Sequence, residues 1–319
     1  MYDQDSKGIS YAAGFFILIA FAIAGVFIAS LISIPVWQVM TGISALKMEE
    51  AINDPANSDA VKVIQCIQAI VGFLIPAIIT AKMLNRKPIK LLGFPAKINW
   101  MQIGLVCGIM FAGLFASGFF SYVNDHLPVS ASWRQQFDKM ESDYNTQVQA
   151  ILSLNSVTDY LVGLVVMAFI PALCEEALFR GGLQNFMTRW TKKPWLSIIV
   201  VSILFSALHF SFYGFLSRLF LGVVLGVLYE YSGKLWLTVI AHFFNNALAV
   251  SAIYIMKEQG KSIEDAIADK SSTWMGLPAL PIVIALIIIF RKIAAKPKEP
   301  KAANFEFEKN EELRNTPFY

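Results

Sequence analysis

The sequence predicts an all-α protein, a polytopic transmembrane helical bundle of about eight spans built around a membrane-embedded active-site cavity. Three observations predict it. Of 319 residues, 56% are hydrophobic and only 15% charged, with a mean hydropathy of +0.56. Apolar runs recur near the roughly 20 residues that cross a hydrocarbon core, and the charged residues gather between those runs. Soluble domains carry about 25% charged residues, so water is not this chain's main solvent. A formal net charge of +3 is too small to imply a nucleic-acid partner, and the basic residues cluster beside the apolar runs. Cys66, Cys107 and Cys174 each sit in an apolar run without a CxxC pair and read as packing residues.

The first apolar run, Ile9 to Trp37, is about twice the length of a signal-peptide core, and its leader sets Asp3 and Asp5 against Lys7, so a retained span is expected. Spans are expected near Tyr11 to Val36, Val61 to Leu84, Trp100 to Val123, Tyr160 to Phe179, Trp195 to Phe212, Phe215 to Tyr231, Leu235 to Met256 and Met275 to Phe290, the sixth being short. Between the third and fourth, Trp133, Phe137, Met140, Tyr144 and Val148 recur at steps of three or four and predict an amphipathic surface helix. Ser156 followed by Asp159 has the form of a helix start. Gly104 with Gly108 and Gly222 with Gly226 have the spacing that lets helices approach closely in lipid. No fixed-period repeat is visible.

Orientation follows from the basic residues beside the spans. Lys82, Arg86, Lys87, Lys90 and Lys97 lie after the second span without an acid among them. Arg189, Lys192 and Lys193, and then Arg291, Lys292, Lys296 and Lys298, fall on the same side. The opposite loops hold Glu49, Asp54, Asp59 and the acids from Asp125 to Asp143. An integral protein of the plasma (inner) membrane with both termini cytoplasmic is expected. The chain divides into residues 1–155, N-terminal spans and the amphipathic helix; 156–256, a core; 257–295, the last span with its preceding loop; and 296–319, a polar tail expected to be disordered.

Ionisable groups inside apolar spans carry the chemistry, since each costs about 2.5–3.5 kcal/mol at the bilayer centre. Glu175, Glu176 and Arg180 lie in the fourth run, Phe205 and His209 in the fifth, and His242, Asn245 and Asn246 in the seventh. Glu176 and Arg180 are one helical turn apart and can pair, as a snorkelling ion pair or as part of a site. Glu175 is rotated about 100° from Glu176, so the two carboxylates are not expected to face one point. His242 and Asn246 share a face. A carboxylate, two imidazoles and an amide suit peptide hydrolysis: a base for water and neutral donors for the carbonyl oxygen. The alternative for each histidine is a bond to a neighbouring helix.

Glu175-Glu176-x3-Arg180, Phe205-x3-His209 and His242-x3-Asn246, in that order, resemble the motifs of the CAAX prenyl endopeptidase and bacteriocin-processing (CPBP, Abi-like) family of intramembrane proteases. Gly222-x3-Gly226 and the stretch Ser232 to Trp236 resemble its linker. The likeness runs from about Leu161 to Ala249 and leaves the first 155 residues unassigned. It implies an endopeptidase acting on a membrane-associated or lipidated, CAAX-like protein or peptide. Glu175 and His209 would activate water, His242 and Asn246 would form the oxyanion site, and Glu176, Arg180 and Phe205 would support them.

Without HExxH the expected mechanism is glutamate-dependent and needs no cofactor. Zinc held by Glu175, His209 and His242 is the alternative. From the expected span limits, Glu175 and His242 come about 10 Å deep from the basic side and His209 roughly 20 Å, a mismatch in depth. The cavity is expected to open toward the basic, cytoplasmic side. Two other classes fit buried charges: a transporter, against which stands the absence of inverted repeats, and a non-catalytic bacteriocin-immunity membrane protein.

Overall fold

A computed structural model describes residues 5–95, 97–152, 154, 156–260 and 274–294. Among the described residues, seven helices are long and apolar enough to cross a membrane: α1 (Tyr11–Thr41), α2 (Pro55–Leu84), α3 (Trp100–Asp125), α5 (Val157–Thr191), α7 (Phe215–Ser232), α8 (Leu235–Glu258) and α9 (Trp274–Ile293). A shorter apolar helix, α6 (Pro194–Ala207), sits between α5 and α7. The helix expected on the surface, α4 (Ala131–Ile151), is capped by Ser130 and rests against other elements at both ends. Ser156 caps α5 as its spacing predicts, accepting from the backbone N–H of Asp159 at 3.1 Å.

Two of the span limits that differ from expectation bear on the site. The fourth run does not stop at Phe179 but continues as helix to Thr191. Arg180 does not end it, because the guanidinium turns inward onto Glu176. Gly181 and Gly182 do not end it either, because their missing side chains let Leu92 and Leu18 pack against the backbone. The end comes at Lys192, whose φ is 59°, just before Pro194. The fifth run is the short one: α6 stops at Ala207, and Phe210 with φ 49° turns the chain back.

Prolines shape the two longest interrupted helices. Pro76 and Pro171 cannot donate to the preceding turn, and the turns before them, Ile70–Leu74 and Leu164–Phe169, are wound wide with an extra residue. A third wide turn, Ala177–Gln184, follows the two glutamates directly.

Both described ends lie on the face that carries the basic loops. Lys7 N–H bonds the Leu84 carbonyl at 2.9 Å, and Arg291 stacks over the Tyr231 ring. That basic face is laced together beneath the core by residues 91–93 and Lys97. Asn185 Nδ2 donates to the Leu91 carbonyl at 2.7 Å, Tyr229 Oη to Leu92 at 3.2 Å, and Lys234 Nζ to Lys97 at 2.6 Å. Leu235 N–H donates to Gly93 at 3.0 Å. Gly93 has φ +93°, and a Cβ there would lie 2.9 Å from the Gly233 carbonyl, so only glycine fits.

On the opposite, acidic face α4 bridges two parts of the bundle. At one end Ile151 packs with Trp37, Ala60, Val61 and Ile64. At the other, Phe137 stacks flat on Phe212 at 3.8 Å, Ser211 donates to Glu141 at 2.7 Å, and Tyr213 donates to Asp138 at 2.5 Å.

The two glycine pairs part company. Gly222 and Gly226 sit at a close crossing, where a Cβ would lie 3.2 Å from Ser202 and 2.9 Å from Gln184 respectively. Gly104 and Gly108 have no packing neighbour within 4 Å, so the expectation that they mediate an approach is corrected: spacing reveals a shared helix face, not what meets it. The polar tail from 296 on lies outside the described residues.

Candidate active site

Extending α5 to Thr191 removes the mismatch in depth. Glu175 lies 16 residues from that end, roughly 24 Å, and His209 lies 15 residues beyond Pro194, roughly 22 Å. Leu235, where α8 begins, is recessed to the level of Gly181, within 3.4 Å of a Cβ placed there. His242, seven residues further on, therefore reaches the glutamates.

The centre of the site is a buried ion pair with an imidazole attached. Arg180 Nη1 donates to Glu176 Oε1 at 2.6 Å, both side chains being essentially inaccessible. His242 Nδ1 lies 3.0 Å from the same oxygen. Arg180 Nη2 reaches the Gly222 carbonyl at 3.2 Å, and one turn on Gln184 Nε2 reaches the Gly226 carbonyl at 2.9 Å. Those two bonds clamp α5 to α7, and the glycine spacing makes both carbonyls accessible. A buried pair held by further hydrogen bonds recovers much of the desolvation cost of its charges.

His242 Nε2 faces the other carboxylate, 3.8 Å from Glu175 Oε2. One imidazole thus stands between both glutamates, which corrects the expectation that they could not face a common point. Their Cα positions diverge around the helix, but each side chain reaches three bonds out, and the two ring nitrogens offer separate targets. The carboxylates differ in surroundings. Glu176 is wholly enclosed, whereas the Glu175 side chain is 16% accessible, and its Oε2 makes no hydrogen bond within the protein. A separation of 3.8 Å is too long for a direct hydrogen bond and suits a shared water.

His209 sits just past the end of α6, its Nδ1 2.8 Å from the Phe205 carbonyl. A carbonyl only accepts, so Nδ1 carries the proton and, in the neutral ring, the lone pair is on Nε2. Phe205 is the shared floor: its ring meets those of His209 at 4.9 Å and His242 at 5.8 Å edge-on, while the Arg180 guanidinium lies 4.7 Å from its centre. Asn246 follows His242 by one turn and is half-buried. Its Oδ1 accepts from Asn245 Nδ2 at 3.3 Å, which leaves the Asn246 amide nitrogen as the donor end.

The structure therefore gathers Glu175, Glu176, Arg180, Phe205, His209 and His242, with Asn246 one turn beyond. Among the described residues, no three of His, Cys, Asp or Glu are grouped to hold a metal ion, so Glu175, His209 and His242 do not form a ready zinc set. Residues 176–184 and 224–229, on the basic side of the site, are buried, while Glu175, His209, Asn245 and Asn246 are partly accessible. Sequence reasoning passed over Gln184, which shares a face with Arg180, and Arg218, a cation inside an apolar run that the same rule should have singled out.

Residues 157–248 match the family model described as type II CAAX prenyl endopeptidase Rce1-like. Two curated relatives match the same proportion of the chain. An uncharacterized protein, YpbD, of Bacillus subtilis (strain 168) is 32% identical over 89 residues, which is 27% of this chain and 42% of that protein. An uncharacterized 24.3 kDa protein of Escherichia coli is 35% identical over 91 residues, again 27% and 42%. The match thus spans less than half the length of these relatives. No solved structure matches significantly. Over residues 157–248, which hold the helices that bring Glu175, His209 and His242 together, this membrane protein is similar to the Rce1-like family of type II CAAX prenyl endopeptidases.

Proposed function

We propose that the protein is an intramembrane endopeptidase that hydrolyses a peptide bond of a membrane-associated or lipidated protein or peptide, using water activated by Glu175 and His209. The observation that carries this reading is the placing of His242 between one enclosed and one accessible carboxylate, beside a second imidazole whose free nitrogen is its Nε2.

In this mechanism a water bound by Glu175 and His209 Nε2 gives a proton to Glu175 as its oxygen attacks the carbonyl carbon. The oxyanion that forms is met by His242 and the Asn246 amide. Glu176 takes the Nδ1–H of His242, so in the doubly protonated ring Nε2–H points into the site. Arg180 balances the charge of Glu176. As the C–N bond breaks, Glu175 returns the proton to the departing nitrogen. No step requires a metal, and the enclosed Glu176 and Arg180 set geometry without touching substrate.

The test is cleavage of a quenched peptide library by purified protein in detergent, followed by the same measurement with Glu175→Gln and His209→Ala. Loss of a general base is expected to lower turnover about 10²- to 10⁴-fold. Unaltered cleavage by both variants would refute the assignment.

A further inference from the structure

Glu175, His242 and Asn246 stand within helices, but His209 does not. α6 ends at Ala207, and α7 begins only at Phe215. The imidazole therefore hangs from the turn between them. Bonds within that turn are short-range: His209 N–H reaches the Ser206 carbonyl at 3.3 Å, Phe210 N–H reaches Ala207 at 3.1 Å, and Phe215 N–H reaches Phe212 at 2.9 Å. Phe210, directly after the histidine, has φ 49° and is 67% exposed. A bulky residue keeps a left-handed backbone only where its surroundings over-determine it.

α4 supplies those surroundings. Phe137 lies flat on Phe212 at 3.8 Å, Glu141 accepts from Ser211 Oγ at 2.7 Å, and Asp138 accepts from Tyr213 Oη at 2.5 Å. Ser211 Oγ also accepts from the Gly214 N–H at 3.3 Å, so the bond from Glu141 is carried across the turn. Tyr144 faces the Arg218 guanidinium in the first turn of α7, 5.2 Å from its carbon. Phe137, Glu141 and Tyr144 follow one another at steps of four and three, so one face of α4 meets the turn and the start of α7. The far end of α4 is fixed elsewhere, where Ile151 packs with Trp37 of α1 and with Ala60, Val61 and Ile64 of α2.

We infer that α4 is the positioning element for His209, acting through Glu141 on Ser211 and through Phe137 on Phe212. The inference rests on the role given to His209 in the proposed peptidase and adds the residues that place its Nε2. Residues ahead of position 157 thereby complete a site whose catalytic groups all lie beyond it. The chemistry demands such a brace. Water must be held between Glu175 and His209 Nε2, and displacing one partner by about an ångström costs up to about 10²-fold in rate.

The experiment compares full-length wild type in detergent with Glu141→Ala, Glu141→Gln, Ser211→Ala and the Glu141→Ala/Ser211→Ala double variant. Gln135→Ala, exposed on the far side of α4, is the control. Glu141→Ala and Ser211→Ala are expected to lower kcat about 10- to 100-fold with KM little changed. Glu141→Gln keeps an acceptor for Ser211 and should retain most of the turnover, and Gln135→Ala should match wild type. The double variant should lose no more than either single one, because both break the same bond. Wild-type kcat in Glu141→Ala and Ser211→Ala, or a double loss equal to the product of the single losses, overturns the inference.

A second readout needs no cleavage. The chain has three histidines, so nitrogen-15 NMR of histidine-labelled protein, assigned by replacing each in turn, follows the His209 ring directly. Wild type is expected to show one Nδ1–H tautomer, and Glu141→Ala and Phe137→Ala to show exchange between tautomers. If wild type hydrolyses no peptide, the peptidase reading fails separately and this spectrum decides. An unchanged His209 signal in both variants refutes positioning, and a lowered thermal midpoint with that signal kept assigns α4 a structural role alone. Should Phe137→Ala fail to fold, Glu141→Ala against Glu141→Gln settles the matter.

Discussion

His242 Nδ1 stands 3.0 Å from Glu176 Oε1, joining a buried carboxylate on one helix to an imidazole on another. The same oxygen holds Arg180. Removing Glu176 would leave a buried guanidinium without its counter-charge, and Glu176→Ala is expected to destabilise by about 3–5 kcal/mol. Glu175→Ala removes a partly accessible side chain with no protein hydrogen bond at Oε2 and should unfold at nearly the wild-type temperature while losing turnover. Thermal unfolding in detergent, run beside the peptide assay, separates the two. Similar midpoints for both variants would contradict the division between an enclosed structural carboxylate and an accessible working one.

Metal dependence has a direct test. The His209 Nδ1 and His242 Nδ1 atoms are each engaged with protein oxygens, and no three-donor metal group is formed among the described residues. Peptidase activity is expected to survive dialysis against a strong chelator. Loss on chelation with recovery on adding zinc would replace the glutamate mechanism by the metal one.

The two glycine pairs offer a contrast in stability. At Gly226 a Cβ would meet Gln184 Oε1 at 2.9 Å and Ile198 at 3.0 Å, so Gly226→Ala forces the clamp between α5 and α7 apart, at an expected cost of about 1–3 kcal/mol. Gly104→Ala meets no packing neighbour and gains helix propensity of up to about 1 kcal/mol. Unfolding midpoints should move in opposite directions.

The clamp of α4 on the turn after α6 should respond to alkaline pH. The hydrogen bond to Asp138, then burial, raises the Tyr213 hydroxyl above its ordinary value of 10.0. A raised value means the folded state favours the protonated phenol. The contribution is therefore complete below pH 10 and lost as pH climbs through the raised value. Fluorescence of Trp133, stacked on Phe137 in α4, should change across that alkaline window. Tyr213→Phe should lack the bond throughout and show no such Tyr213-linked step.

Much of this was legible in residues alone. Hydropathy marked eight apolar runs because lipid imposes one length on every crossing, and seven of them are long helices among the described residues; the spacing of Glu176 with Arg180 foretold their contact because one turn of helix does so anywhere. The extension of α5 was not legible, since Arg180 and two glycines look like an ending until their partners Glu176, Leu92 and Leu18 are known. Nor was the double contact of His242. Helix geometry gives Cα directions, and the reach of a glutamate across to a neighbouring helix depends on how far apart the helices pack. Phe205 was readable as a motif residue, but its place beneath two imidazoles and a guanidinium belongs to tertiary structure. Arg218 was readable and was overlooked, because it matched no motif.

Residues 91–94 and Lys97 act as a floor. They tie α5, α7 and α8 together on the basic face through Asn185, Tyr229, Lys234 and Leu235. Anything approaching Glu175 along the bundle axis from that face would have to part those bonds first.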